Sequence, residues 1–395
     1  MRAGPRQRST VAGDDTSWAG TTARRPAFPD EAVADVPPRG RVVIVSGSVG
    51  AGHDGVAREL AGRLAERGHP VTVLDLLDGF PLPVRILLSS AYVLIVKIAP
   101  WLYEAVCWLV ERDRLSQRIA DRVCGSAAPW LLPAVAGADL VVATYPPASR
   151  ALGQLRRRGA LRVPVVTYLT DPAPNYLWVH PDIDVHLTAS RATAAETKAR
   201  YGIAVEPAGP LVSRAFRVAD RTAARAHLER SLQVGPDTPV ALVLLGSLGV
   251  GNVRDALDAL QDAGMLPIVL CGRNEKLRRS LRGIPGAMAL GWRDDVPVLV
   301  AGADVVIHNA GGLSLTESLV VGVPAITFAA LPGHGRANAR SLERSGLAPW
   351  ARSPAELTAL ATRVRSTSVQ RWPVAEETAA QRISDLANAV QPAAR

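Results

Sequence analysis

The chain has 395 residues, of which 48% are hydrophobic, 5% aromatic and 21% charged, and its formal net charge is +9. That length exceeds one ordinary domain and predicts about two, each with enough apolar material for a core of its own. The positive balance favours anionic partners, but aromatic residues are sparse and no basic stretch interleaves with them, so nucleic acid ranks low.

Residues 1 to 38 are rich in Arg, Gly, Pro, Thr and Asp without periodicity, and read as a disordered tail. The tail has no apolar h-region, so no ordinary secretion signal is expected. The first domain is expected over 39–210. Val42 to Val45 is a β-branched run fit for a buried parallel strand, the loop Ser46 to Asp54 follows, and a helix then carries Val56, Leu60 and Leu64 on one face. Val71 to Leu74, Leu140 to Val142 and Val163 to Tyr168 read as further strands, with a helix around Ala151 to Arg157. Between them, Phe80 to Val110 is apolar but is broken by Arg85, Lys97 and Glu104. Its longest uncharged run, Ile86 to Val96, falls well short of the roughly 20 residues that a spanning helix needs.

A linker is expected over about 207 to 222. The second domain, 211–370, repeats the alternation with strands at Val240 to Leu245, Pro267 to Leu270, Ala287 to Leu290, Val305 to Ile307 and Ala325 to Phe328. A final helix falls in 371–395, about Val374 to Val390, with either domain open to it. Strand and helix alternate throughout, which predicts an α/β chain with two doubly wound parallel sheets. Gly137 to Val142 and Gly302 to Ile307 match in pattern, a hint of two similar domains facing each other. Cys107, Cys124 and Cys271 have no metal-ligand spacing and cannot all pair, which fits a reducing compartment.

Gly50-Ala51-Gly52-His53-Asp54-Gly55 fits G-x-G-x-x-G after a strand, and Asp75 stands about 20 residues further on at the end of the next strand. That is a dinucleotide fingerprint, so an NAD-dependent oxidoreductase stays open. The loop is longer than the usual tight turn, however, and it carries His53 at a helix N-terminus. That position favours the neutral imidazole, the form able to act as a base near pH 7. The plain alternative for His53 is a polar helix cap.

The strand at Val305 runs into His308-Asn309-Ala310-Gly311-Gly312, and a helix is expected to begin near Leu313. Free N–H groups at such a start can hold a diphosphate, and a carboxylate a turn inside the helix, Glu317, can accept from two ribose hydroxyls. The alternative is a capping box of Ser314 with Glu317. Three more glycine loops favour the ligand: Gly246-Ser247-Leu248-Gly249, Gly291-Trp292-Arg293, and Pro332-Gly333-His334-Gly335 leading to Asn338. Loops gathered at one sheet edge form a ligand crevice.

These motifs, together with Tyr92 to Tyr103, Thr170-Asp171 with Trp178-Val179-His180, and Cys271-Gly272-Arg273-Asn274, resemble those of the family 28 GT-B glycosyltransferases. That family includes monogalactosyldiacylglycerol synthase and the processive diacylglycerol glucosyltransferases. The likeness runs from Val42 to about Trp350. It implies two Rossmann-like domains across a central cleft, with the acceptor on the first and a UDP-sugar on the second. Glu317 would hold the ribose, and Gly311, Gly312 and Ser314 would lie by the diphosphate. Gly246, Ser247, Arg273, Trp292, Arg293, His308, Leu313, His334 and Asn338 complete the donor candidates. On the acceptor side the candidates are Gly52, Tyr92, Trp101, Tyr145, Trp178 and His180. Where the family usually has Gln-Glu after Pro-Gly, this chain has His334 and Gly335. Asn309 stands in place of a basic residue, with His308 a substitute phosphate contact, and Asn175 replaces a frequent histidine.

The chemistry expected is direct displacement of UDP from an α-linked UDP-hexose by an acceptor hydroxyl, leaving a β-glycoside, with His53 or Asp171 as base and His53 preferred. The helix start and the Ser247 loop would stabilise the departing charge; no metal and no cofactor are expected. The acceptor is expected to be a lipid such as diacylglycerol, with a polyprenyl-linked or soluble acceptor as the alternative. Tyr92, Trp101, Tyr103 and Trp108 in an apolar stretch suit a membrane boundary, and Arg150, Arg156, Arg157, Arg158 and Arg162 read as a basic cluster facing an anionic leaflet. The alternative has two buried helices and a solvated arginine face. The expected location is cytoplasmic, peripheral on the inner face of the cell membrane. A non-catalytic nucleotide-sugar binder is the remaining reading, and the oligomeric state stays open.

Overall fold

A computed structural model describes residues 39–49, 51–244, 253–364, 372 and 378–389. The N-terminal tail, Gly50 and the Gly246-Ser247 loop lie outside the described residues.

Among the described residues eleven strands form two sheets, and every pairing is parallel. In the first sheet the strands are β1 (Val42–Ser46), β2 (Val71–Asp75), β3 (Leu140–Ala143), β4 (Val165–Leu169), β5 (Val185–Thr188) and β6 (Glu206–Pro207), in the order β2-β1-β3-β4-β5-β6. The second holds β7 (Val240–Leu244), β8 (Leu266–Leu270), β9 (Met288–Leu290), β10 (Val305–His308) and β11 (Ala325–Thr327), in the order β11-β10-β7-β8-β9. All residues of β1, β3, β4, β7 and β10 are buried, as unbroken β-branched and aliphatic runs require when helices cover both faces. Winding reverses between β1 and β3 in one sheet and between β7 and β10 in the other. Ligand crevices open at such reversals, beyond the C-terminal ends of the strands.

The strands follow the expected alternation, with two additions. β5 is short and carries a buried His186, and β6 is a two-residue edge strand ending in Pro207, a position where no ladder N–H is needed. The helix expected near Ala151 begins at Pro146, where two prolines occupy its first positions without losing a hydrogen bond. Within the expected linker, Ser213 caps the short helix Arg214–Arg217, and Asp220 caps Arg221–Leu232 by accepting from Thr222 and Ala223.

The last helix, Thr378–Ala389, returns to the first sheet. Its Ala379, Ala380, Ile383 and Ala387 join Val42, Ile44, Val56, Leu60 and Leu64 in one core. His69 Nδ1 donates to the Gly40 carbonyl, so its Nε2 accepts from Ser384 Oγ at 2.7 Å. On the second half, Trp372 donates its backbone N–H to Leu319. Trp372 thus rests on the second half, and the helix that begins at Thr378 on the first.

Among the described residues no single helix is long and apolar enough to cross a membrane; the apolar region instead turns by 119° between Leu82–Ile98 and Pro100–Arg112. The expected basic cluster is not a free positive face. Arg150 is buried and fork-bonded to Asp121, Arg156 is paired with Asp184 and Arg157 with Asp182. These three guanidinium groups have carboxylates from a distant part of the first half, which sequence proximity hides.

Ile383 is fully buried under the first sheet, so Ile383→Ala is expected to lower stability by about 2–4 kcal/mol, read as a shifted urea midpoint.

Candidate active site

His53 lies in the first turn of the helix Ala51–Glu66, just past β1. Its Nδ1 is 3.1 Å from the Thr144 carbonyl, immediately past β3, and 2.9 Å from Thr170 Oγ1, immediately past β4. A carbonyl only accepts, so Nδ1 carries the ring proton and Nε2 holds the lone pair. Among the described residues nothing bonds Nε2. Tyr145 meets the ring edge-on with centroids 5.3 Å apart, and Trp178 lies 5.9 Å away. Ser46 Oγ donates to Asp54 Oδ1 at 2.7 Å and fixes the turn that presents the histidine.

Asp171 has both carboxylate oxygens engaged. Trp178 Nε1 donates to Oδ2 at 2.8 Å and Asn338 Nδ2 to Oδ1 at 3.3 Å. Asn338 comes from the second half, and it also donates to the Ala310 carbonyl and accepts from the Ala173 amide. Its amide thereby clasps the two halves beside the site.

The second glycine turn meets the first directly. Gly312 opens the helix Gly312–Val321, and a Cβ there would lie 2.2 Å from the Thr170 carbonyl. Across the same contact, a Cβ on Gly55 would lie 2.6 Å from Leu313, and one on Gly52 would touch it at 3.8 Å. Gly55 thus makes room for Leu313. Asp75, the expected ribose acid of a dinucleotide site, accepts from the Ser48 and Leu77 amides.

The helix starts at Gly312 with Gly311 as its cap and no side-chain bond to its N–H groups, which leaves them open to an anion. Glu317 is too far inside the helix for a capping box, and Thr316 Oγ1 turns back onto the Gly312 carbonyl. Among the described residues Glu317 has no hydrogen bond, and burial pushes its carboxyl up to about 8. Ala310, just before the turn, takes a left-handed φ of 71°, the strained backbone that functional turns retain.

His334 begins the helix His334–Arg344, beyond β11. Tyr103 OH lies 2.7 Å from its Nδ1, and the Tyr92 ring stacks on it with centroids 6.4 Å apart. Burial lowers its imidazole below the ordinary range, and the carboxylate of Asp171 opposes that shift.

Residues 53–210 match the family described as monogalactosyldiacylglycerol (MGDG) synthase. The processive diacylglycerol beta-glucosyltransferases of Bacillus thuringiensis (strain Al Hakam) and Bacillus cereus (strain AH187) are each 26% identical over 332 residues, 81% of this chain and 84% of theirs. Among solved structures, MurG of Acinetobacter baumannii matches with a TM-score of 0.51 at 17% identity, over 88% of this chain and 99% of that one. Os79 from O. sativa in complex with UDP matches with 0.55 at 14% identity, over 89% and 100%.

The chain is a GT-B-fold relative of the diacylglycerol glycosyltransferases.

On the GT-B fold the two sheet reversals face each other, and here His53, Asp171, Gly312, Leu313, Asn338 and His334 meet between them. Gly311, Ser314 and Glu317 share the same helix start. Arg273 and Trp292 stand together at the outer edges of β8 and β9, the guanidinium 4.7 Å over an exposed indole. Arg293 lies beside them but is ion-paired to Asp295.

Several expectations need correction. His308 is fully buried, its Nδ1 accepts from the Ala310 amide and its Nε2 faces Thr327, and burial pushes it down to about 4; it cannot reach a phosphate. Asn338 has its amide fully used in the clasp rather than presented to a donor. His180 is interior, packed so that a Cβ on Gly153 would lie 2.3 Å away, and is likewise pushed down to about 4. Trp178 and Tyr145 are buried walls behind His53 rather than open acceptor contacts. Trp101 is 70% exposed, on the outer surface of the helix Pro100–Arg112. The partners that hold His53 and His334, namely Thr144, Thr170 and Tyr103, were not singled out as such from sequence. Thr170 and Tyr103 lay inside motifs already noted.

Gly312→Ala places a methyl against a backbone oxygen and is expected to cost about 1–3 kcal/mol. Gly311→Ala has open space at the same turn and is expected to leave the urea midpoint nearly unchanged.

Proposed function

We propose that this protein transfers a hexose from a UDP-sugar to the hydroxyl of a lipid acceptor such as diacylglycerol, with inversion. The observation that carries the reading is His53: its Nδ1–H is held by the Thr144 carbonyl, and its basic Nε2 lies where the first half meets the anion-binding helix start of the second. The names of the relatives, diacylglycerol glucosyltransferases by sequence and a UDP-bound enzyme by fold, support the substrate classes.

In the proposed step the acceptor O–H gives its proton to His53 Nε2 as its oxygen bonds to the anomeric carbon. The bond from that carbon to the diphosphate oxygen breaks, and UDP leaves with the electron pair. The open N–H groups at Gly312 and Leu313 take up the developing charge. Glu317 accepts from the ribose hydroxyls. Asp171, with both oxygens occupied, positions Trp178 and Asn338 around the histidine instead of competing for the proton.

The lipid reading rests on the surface. Among the described residues, all the exposed large hydrophobics but Val73, Val218 and Trp292 fall between Leu82 and Ile119. Trp101, Trp108, Leu115 and Ile119 are each more than half exposed. Arg114, Arg118 and Arg122 recur every four residues on the helix Arg114–Gly125, all exposed, beside Leu115 and Ile119. An apolar face rimmed by arginines suits an anionic leaflet, at about 1 kcal/mol per basic residue near the surface. We place the enzyme as a peripheral protein on the cytoplasmic face, where its three free cysteines stay reduced.

His53→Ala is expected to lower kcat at least about 100-fold while leaving UDP affinity within about twofold, read in a radiolabelled transfer assay and by calorimetry. Equal loss of UDP binding would contradict a role as base.

Glu317 would bind ribose as the carboxylate, yet burial holds its carboxyl up at about 8. UDP binding at pH 7 is therefore expected to release protons, and affinity to rise as pH climbs from 6 to 9. Calorimetry in two buffers of different ionisation enthalpy reads both, and Glu317→Ala should abolish the proton release and weaken UDP at least about tenfold.

A further inference from the structure

We propose that the helix Pro100–Arg112 couples lipid docking to donor binding, with Tyr103 as the residue that positions His334; this rests on the reading above. The helix has two faces at helical spacing. Trp101 and Trp108 are turned outward and exposed. Tyr103, Glu104, Cys107 and Glu111 are turned inward, and each holds a part of the cleft.

Tyr103 OH meets His334 Nδ1 at 2.7 Å. Glu104 is ion-paired with Arg336, one turn into the same helix. The His334 backbone N–H points to the Cys107 thiol, and a Cβ on Gly333 would lie 2.6 Å from Cys107 Sγ and 2.9 Å from the Tyr103 ring. Gly333 has a φ of 66°, so the turn that leads into His334 is pressed flat against this helix. Glu111 accepts from the Tyr176 amide at 2.8 Å and from Tyr201 OH at 2.6 Å, and pairs with Arg200. The loop carrying Asp171 is thereby tied to the helix as well.

The helix is bounded by a bend at Ala99 and follows a π-helical turn at Leu87–Ala91. Such turns mark functional segments. Settling its outer face at an interface fixes its inner face, and with it the imidazole. Burial keeps the Tyr103 phenol protonated. Assigning that proton to the bond with Nδ1 leaves the ring proton on Nε2 as a donor for the sugar or diphosphate. Linkage makes the effect reciprocal: lipid tightens UDP by the factor by which UDP tightens lipid.

The test uses the full chain, UDP, and vesicles of equal parts phosphatidylglycerol and phosphatidylcholine. In the wild type, vesicles are expected to tighten UDP about fivefold or more by calorimetry, and UDP to tighten vesicle co-sedimentation by the same factor. Tyr103→Phe keeps the ring and loses only the hydroxyl. It is expected to keep its melting temperature and its vesicle binding, while the coupling factor falls to near one. His334→Asn should remove the coupling likewise. Vesicle and UDP binding without coupling in the wild type, or undiminished coupling in Tyr103→Phe, would overturn the inference and leave the donor site standing. Absence of UDP binding under any condition would remove the donor site itself, and the coupling with it.

Discussion

One contact organises the site: the backbone of Gly312 lies so close to the Thr170 carbonyl that a single methyl would sit 2.2 Å from the oxygen. No side chain intervenes, so the uncapped helix start of one half and the strand ends of the other are set against each other with little play. Thr170 also places its hydroxyl on His53, and its neighbour Asp171 reaches Asn338 across the same seam. The Asn338 clasp and the Leu313–Gly55 contact hold the halves in that arrangement.

Burial sorts the histidines into roles. His308, His180 and His186 are interior and pushed down to about 4, and they serve as neutral packing groups. His69 ties the last helix to the chain near β1. His53 alone combines a carbonyl-fixed tautomer with a place at the sheet reversal. Neutral His334 carries instead a tyrosine from the apolar helix. The carboxylates divide in the same way. Asp171 accepts a hydrogen bond on each oxygen, whereas Glu317 has no side-chain partner among the described residues in a site that disfavours its charge.

The sequence carried most of the fold because buried parallel strands are written as continuous β-branched runs, from Val42 to Val45 and from Val240 to Leu244. β6 carried no such run: its pairing is set by β5, and Pro207 argues against a strand anywhere but an edge. The position of the site was legible in the two glycine turns, but its inner wiring was not. His53 is bonded to residues 91 and 117 positions away, and Asn338 to one 165 away. Motif spacing cannot show that Asn338 is consumed by a clasp, that His308 faces Thr327, or that Arg150 has its carboxylate in Asp121. The G-x-G-x-x-G run was the sharpest misdirection: its last glycine makes room for Leu313, and the acid that completed the fingerprint caps a turn.

The most direct test is the stereochemistry of the product. Purified protein would be given α-linked UDP-glucose and UDP-galactose with diacylglycerol in phosphatidylglycerol vesicles, and the anomeric coupling of any glycolipid read by NMR. A single β-glycoside from one of these donors is the predicted result, since displacement by a hydroxyl deprotonated at His53 inverts the carbon. An α-glycoside, or UDP-sugar consumed without glycolipid, would contradict a one-step transfer between the two halves.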